Sequence, residues 1–162
     1  MADFSQAAAS LLGLVEWGDA KLWASVAATA WCPTFWNIAA RREHRTRFMS
    51  KALGGAYPAC YTMAATIFTF SLVRDWVFNV AIDSQPSLAL LDTDNVKLVA
   101  AGLLVVGNVL VGSTYLRLGI TGTYLGDYFG ILMKERVTGF PFSVFENPMY
   151  LGSTLNFLSL AL

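Results

Sequence analysis

Two carboxylates in the C-terminal third stand where a charge is expensive. Asp127 lies between Gly126 and Tyr128, and Glu146 precedes Asn147 and Pro148, each at the edge of an apolar region. An acid at such a boundary needs a reason: it holds a cation, takes a proton, or caps a helix. Aromatic residues surround both, with Tyr124, Tyr128, Phe129 and Tyr150 offering faces to a planar or cationic ligand, or else forming an interfacial belt. The glycines among them, Gly119, Gly122, Gly126, Gly130 and Gly139, let a backbone approach closely. The structural alternatives are that Asp127 caps a short interfacial helix and that Glu146-Asn147-Pro148 opens one, with Asn as cap and Pro in the first turn. Capping and binding can coexist in one residue.

A second candidate is the basic run 41–51. Arg41, Arg42, Arg45, Arg47 and Lys51 face Glu43 as the single acid. Guanidinium suits bidentate phosphate contacts, so Arg41, Arg45 and Arg47 are candidates for gripping a lipid phosphate; anchoring to anionic lipid is the plainer account. His44, the one histidine, either shuttles a proton or faces solvent. Cys32 and Cys60 lie in apolar stretches and read as packing residues, and two such positions build neither a disulfide framework nor a metal motif.

The elements that must position these groups follow from composition. Hydrophobic residues make up 56 % of the 162 residues and mean hydropathy is +0.52, too apolar for an ordinary soluble domain. Eleven basic residues balance eleven acidic ones, which leaves no global field to attract nucleic acid. A helix needs about 20 largely apolar residues to cross a bilayer core, and the stretches 22–40, 52–73 and 98–116 carry no charge. A fourth uncharged stretch, 147–162, runs to the end of the chain. Pro33 interrupts the first and predicts a kinked or re-entrant helix there, and residues 3–17 predict a weak interfacial helix. The start, Met-Ala-Asp, lacks a basic region, so no cleaved signal is expected. The reading is all-α: a polytopic integral membrane protein of three to four transmembrane or intramembrane helices, one domain over 1–162.

Ordered short motifs then become recognisable. They include Phe35-Trp36-Asn37 with Ala40-Arg41, Glu43-His44, Thr46-Arg47, Ala65-Thr66-Ile67-Phe68 and Val73-Arg74-Asp75. Above all they include 118–130, Glu135-Arg136-Val137-Thr138, Phe140-Pro141-Phe142, Asn147-Pro148-Met149-Tyr150 and Gly152-Ser153-Thr154. Over almost its whole length the chain resembles the phospholipid N-methyltransferases that make phosphatidylcholine from phosphatidylethanolamine, especially fungal members acting on the mono- and dimethylated intermediates. The resemblance implies S-adenosyl-L-methionine as methyl donor, a phospholipid in the bilayer as acceptor, no metal, a multi-pass place in the endoplasmic reticulum membrane, and room for homo-oligomers. It also implies a cofactor site at a Gly-x-Gly in the third apolar helix and a paired glutamate beyond the fourth. Here the helix reads Val105-Val106-Gly107, so only Gly107 matches, and a lone glycine there is otherwise a helix-packing notch. Tyr124, Gly126, Asn147 and Tyr150 are the further cofactor candidates. The glutamate pair has no counterpart before residue 162, so the family's last helix and C-terminal tail are expected to be lacking. An inactive shortened protein, or a regulatory adaptor of a full-length enzyme, is the alternative.

The implied chemistry sets its own demands. A primary ammonium titrates near pH 10 by analogy with lysine, and must lose its proton before nitrogen can accept a methyl group. Asp127 and Glu146 are the candidate bases, each of which would also hold the cation it deprotonates. Orientation is contested. The charge rule places 41–51 in the cytosol, whereas the implied cofactor motif favours the side of 74–97, with its four aspartates, and that assignment is followed.

Overall fold

The computed structural model describes residues 13–88 and 91–162, and among them the regular structure is helical throughout. Among the described residues five helices run in order: α1 (Ala20–Thr46), α2 (Phe48–Ala52), α3 (Ala56–Ser84), α4 (Asp94–Thr123) and α5 (Pro148–Ala161). A single 3₁₀ turn, Gly126–Phe129, lies between α4 and α5. Most of the expected interfacial helix over 3–17 falls outside the described residues, and 13–17 form turns.

Two of these helices, α3 and the run 94–129, are long and apolar enough to cross a membrane. At 1.5 Å per residue, the 29 residues of α3 extend roughly 43 Å against a hydrocarbon core of about 30 Å. Only 11 % of the most apolar window in each is buried inside the molecule. Their apolar surface therefore faces outward, the arrangement lipid favours and water does not. Arg74 and Asp75 are the charges in the middle of α3, where they neutralise each other at 2.7 Å, and Asp83 lies at its end. The Arg74 guanidinium also lies over the Phe157 ring, 4.9 Å being the comparable distance for Arg42 over Phe48 and 5.1 Å here.

α1 is one continuous helix through Pro33, with no re-entrant turn there. Proline removes one backbone donor, the one that would otherwise reach the Thr29 carbonyl, and the helix continues without it. Thr34 Oγ1 donates to the Ala30 carbonyl and Asn37 Nδ2 to the Pro33 carbonyl, each at 2.8 Å. The third uncharged stretch extends further than its charge gap, with a break at Gly119, whose φ of 63° is left-handed backbone suited to glycine.

Helices α1 and α3 form one antiparallel pair. Asp19 caps α1 by accepting from the Lys21 amide at 2.9 Å and also accepts from Ser84 Oγ at the far end of α3. Midway, Phe35 meets Phe70 edge-on at 5.0 Å. At the other end the chain after α4 folds back and inserts Phe129 among Ala59, Cys60, Met63 and Ile67, the buried core. The fully buried Glu43 holds the adjoining corner, accepting from the amides of Met49 and Ser50 and from the Ser50 hydroxyl. This places 41–51 and 124–131 at one end of the molecule and the start of α1 with the end of α3 at the other.

The Asp19 carboxyl is held below its ordinary value, first by the Ser84 hydrogen bond and next by the Lys21 amide. A depressed carboxylate stabilises the fold above its unfolded pKa, and that contribution is lost as pH falls through the folded value. Thermal melts in detergent should show Asp19→Ala less stable than wild type at pH 7, with the gap closing as the pH drops well below the ordinary carboxylate range. A gap independent of pH contradicts the linkage.

Candidate functional site

A cavity of about 770 Å³ opens where the end of α4 meets the start of α5. It is lined by Leu118, Met133, Lys134, Glu135, Arg136, Val137, Phe142, Glu146 and Asn147. The segment that builds it is pinned to α4 by Arg117, whose Nε donates to the Phe140 carbonyl at 3.1 Å and whose guanidinium packs on Gly139. Pro141 is buried beneath it, and the turn closes through the Phe142 and Phe145 amides onto the Gly139 and Pro141 carbonyls. Asn147 is the N-cap of α5 with Pro148 in the first turn, as the sequence reading has it, but its side chain makes no capping bond. Its amide is free for a ligand.

Four charged residues rim this cavity: Lys134, Glu135, Arg136 and Glu146. Among the described residues the ion pairs are Arg74 with Asp75 and Lys97 with Asp92, so none of the four is neutralised by the protein. The opposing flank is apolar, from Leu118, Met133, Val137 and Phe142. Two charges of each sign beside an apolar wall suit an amphiphile that itself carries both signs. The volume lies in the roughly 300–1,000 Å³ range of sites that enclose a drug-sized ligand.

Of the residues singled out from sequence, Glu146 and Asn147 lie on this cavity and the others do not. Asp127 is exposed in the first turn of the 3₁₀ segment and is not its cap, which is Leu125. Tyr124 bonds its hydroxyl to that of Tyr115 and packs on the core around Phe129. Gly126 is buried where a Cβ would stand 2.6 Å from the Thr121 carbonyl. Tyr150 is exposed one turn into α5. Val105 and Val106 are exposed on the outer face of α4. Arg41 and Arg45 are exposed at the end of α1, and Arg41 borders a separate open depression with Pro33 and Asn37. Arg47 packs its guanidinium on Gly130 and reaches the Tyr128 carbonyl at 3.5 Å. His44 meets the Tyr128 ring edge-on at 5.9 Å.

Gly107 is buried at the crossing of α4 and α5. A Cβ there would stand 2.1 Å from Asn156 Oδ1 and 2.7 Å from the Gly152 carbonyl, and the reciprocal Cβ on Gly152 would meet the Gly107 carbonyl at 2.7 Å. The space a glycine leaves open at this point is thus filled by protein. Of the charged cavity residues, Glu135 and Arg136 stood out from sequence only within the motif Glu135-Arg136-Val137-Thr138 and Lys134 not at all; the signal available was the short charged run itself, set between Met133 and Val137.

A sequence model of the family described as phospholipid methyltransferase matches residues 96–162, which include α4, the cavity and α5. The chain is 54 % identical over 155 residues to phosphatidyl-N-methylethanolamine N-methyltransferase of Neurospora crassa, spanning 95 % of this chain and 72 % of the relative. It is 49 % identical over 152 residues to the protein of the same name from Saccharomyces cerevisiae, spanning 94 % and 74 %. It is 45 % identical over 152 residues to phosphatidylethanolamine N-methyltransferase of Homo sapiens, spanning 94 % and 76 %. No solved structure matches the chain.

The crossing makes a sharp prediction about Gly107. Gly107→Ala should lower stability by about 1–3 kcal/mol, the usual cost of overpacking, measured by thermal or denaturant unfolding in detergent. Adding Asn156→Ala should restore only part of the loss, because the backbone of Gly152 remains in the way. Val105→Ala, on the exposed face, should be near neutral. Full stability of Gly107→Ala contradicts the close crossing.

Proposed function

Because the chain belongs to the phospholipid methyltransferase family, we propose that it methylates the headgroup amine of phosphatidylethanolamine and its mono- and dimethyl derivatives toward phosphatidylcholine, with S-adenosyl-L-methionine as donor. The observation that carries the site assignment is the cavity at the α4–α5 junction, which combines unpaired carboxylates, a free amide and an apolar wall. Its residues fit the donor. The flat apolar side of Leu118, Met133 and Phe142 suits an adenine, the Asn147 amide suits its polar edge or a carboxylate, and Glu135 or Glu146 suits ribose hydroxyls or the sulfonium charge. The bound donor supplies an electrophilic methyl group.

The chain's own residues then have three tasks. They hold nitrogen in line with the methyl group, where positioning contributes roughly 7–11 kcal/mol. They exclude water from the reacting centre by the wall of Leu118, Val137 and Phe142. They take the proton. Leu118, Met133, Phe142 and Asn147 would hold the donor, which would supply the methyl group that the nitrogen lone pair accepts while sulfur keeps the bonding pair. Each of the first two rounds requires one proton to leave nitrogen beforehand, and the last starts from a tertiary ammonium under the same requirement. Glu146 is the acceptor that this geometry favours over Asp127, which lies outside the cavity.

The same reading gives a topology. Helices α1, α3 and α4 cross the endoplasmic reticulum membrane, and α5 enters it from the end that carries the cavity. The cavity lies at the end of α4 that also bears 41–51. A soluble donor reaches it from the cytosol, so this end is cytosolic, which agrees with the charge rule.

Wild-type protein in liposomes containing monomethylated phosphatidylethanolamine should transfer labelled methyl groups from the donor to lipid; no transfer above a protein-free control overturns the proposal. Glu146→Gln should lower kcat by about 10²-fold or more near neutral pH. The deficit should shrink as pH approaches the amine's own value near 10, where the proton leaves unaided. An unaltered kcat at neutral pH removes Glu146 as proton acceptor.

A further inference from the structure

We infer that Lys134 and Arg136 hold the phosphate of the lipid substrate, and that the headgroup lies across the cavity with its phosphate toward them and its nitrogen toward Glu146. The inference rests on the methyltransferase reading above and adds to it the residues that recognise the acceptor. Three observations carry it. Both cations line the cavity, on the segment between α4 and α5, while Glu146 lines it from the start of α5. Neither cation has a carboxylate within ion-pair distance, although Glu135 stands between them in sequence and Glu146 borders the same space. The basic residues that sequence favoured for this role are engaged or distant: Arg47 lies on Gly130 and the Tyr128 carbonyl, Arg42 covers the Phe48 ring, and none of 41–47 lines the cavity.

The electrostatic logic is that of matched zwitterions. Four unpaired charges facing one depression repel and attract one another without a settled partner, and each remains hydrated. A phosphoethanolamine headgroup brings one anion and one cation separated by two carbons. The phosphate can take both Lys134 and Arg136, with Arg supplying a planar fork and Lys a point charge. The ammonium is left facing carboxylate. Leu118 and Val137 beside the phosphate offer the apolar surface that the glycerol and upper acyl chains need as they leave the bilayer. The two-carbon link then fixes where nitrogen stands whenever the phosphate is held. Successive methylation alters only the nitrogen end, so one phosphate grip serves all three rounds.

The test uses full-length protein in mixed liposomes, with monomethylated phosphatidylethanolamine and a matched lipid whose phosphate is replaced by an uncharged carbamate. Wild type should show an apparent KM for the phospholipid roughly 10- to 100-fold below that for the carbamate lipid, the effect of charge-assisted bonds to phosphate. In Lys134→Gln/Arg136→Gln that difference should vanish through a rise in KM for the phospholipid alone, with KM for S-adenosyl-L-methionine and the melting temperature unchanged. Lys134→Arg should retain most of the discrimination. Millimolar inorganic phosphate should not compete, because it lacks the apolar part. Wild type that methylates both lipids with equal KM, a double variant that keeps the discrimination, or inhibition by inorganic phosphate as strong as by phospholipid overturns the inference. Should the double variant fail to fold, the wild-type comparison and Lys134→Arg still decide it. Wild type that methylates no lipid at all overturns the function itself, a result distinct from these.

Discussion

Helices α4 and α5 can touch backbone to backbone at one place, where Gly107 faces Gly152, and the C-terminal half of the molecule is organised around that contact. In lipid the hydrophobic effect gives no reason for two apolar helices to associate, so close packing of small residues must supply it. The crossing holds α5 antiparallel to α4. It thereby brings Glu146 and Asn147, at the start of α5, back beside Leu118 near the end of α4. The cavity is the space that remains between these two helix ends and the segment 133–142 that must travel from one to the other. A helix pair held further apart would leave a splayed loop in place of a walled site.

A second anchor sets the remainder of the fold against this pair. Phe129 is buried among Ala59, Cys60, Met63 and Ile67, and the neighbouring corner is closed by Glu43 on the amides that follow α1. Small and soft residues at 59, 60 and 63 create the recess that a large ring fills, a complementarity worth roughly 3–5 kcal/mol if judged by Phe-to-Ala losses elsewhere. The Arg74 guanidinium over Phe157 and the Phe78–Phe157 edge contact at 4.7 Å then join α3 to α5 deeper in the bundle. The basic end of α1, the 3₁₀ turn and the cavity consequently share one face of the protein. The proposed reaction, between an amphiphile and a water-soluble sulfonium, requires such a shared face.

The helices were legible from the chain because charge is the strongest signal in a membrane sequence. The gaps at 52–73 and 98–116 mark α3 and α4, and Asn147-Pro148 marks the start of α5 by cap chemistry alone. Pro33 offered a place for a re-entrant turn, yet α1 runs through it, since the loss is one backbone bond in a helix of 27 residues. Gly107 was legible both as a ligand position and as a packing notch. The packing partner, Gly152 with Asn156, lies some 45 residues away in a helix whose facing side has no sequence signature. The cavity was half legible. Glu146 stood out as an acid beside apolar residues, whereas Glu135 and Arg136 stood out only as part of a motif and acquire a site once α4 and α5 bring residue 118 and residues 146–147 around them and Lys134. Convergence of this kind depends on tertiary contacts and has no periodicity to read.

A reaction site at the α4–α5 junction is the claim on which the account turns, and locating the acceptor nitrogen tests it without relying on a variant. Solid-state NMR on protein in nanodiscs, with dimethylated phosphatidylethanolamine carrying ¹³C-labelled methyl groups and the demethylated thioether product of the donor present, reports which side chains lie against those methyls. The account predicts magnetisation transfer to Glu146 and Phe142. Transfer to Asp127 or to residues 41–47, with none at the cavity, contradicts it.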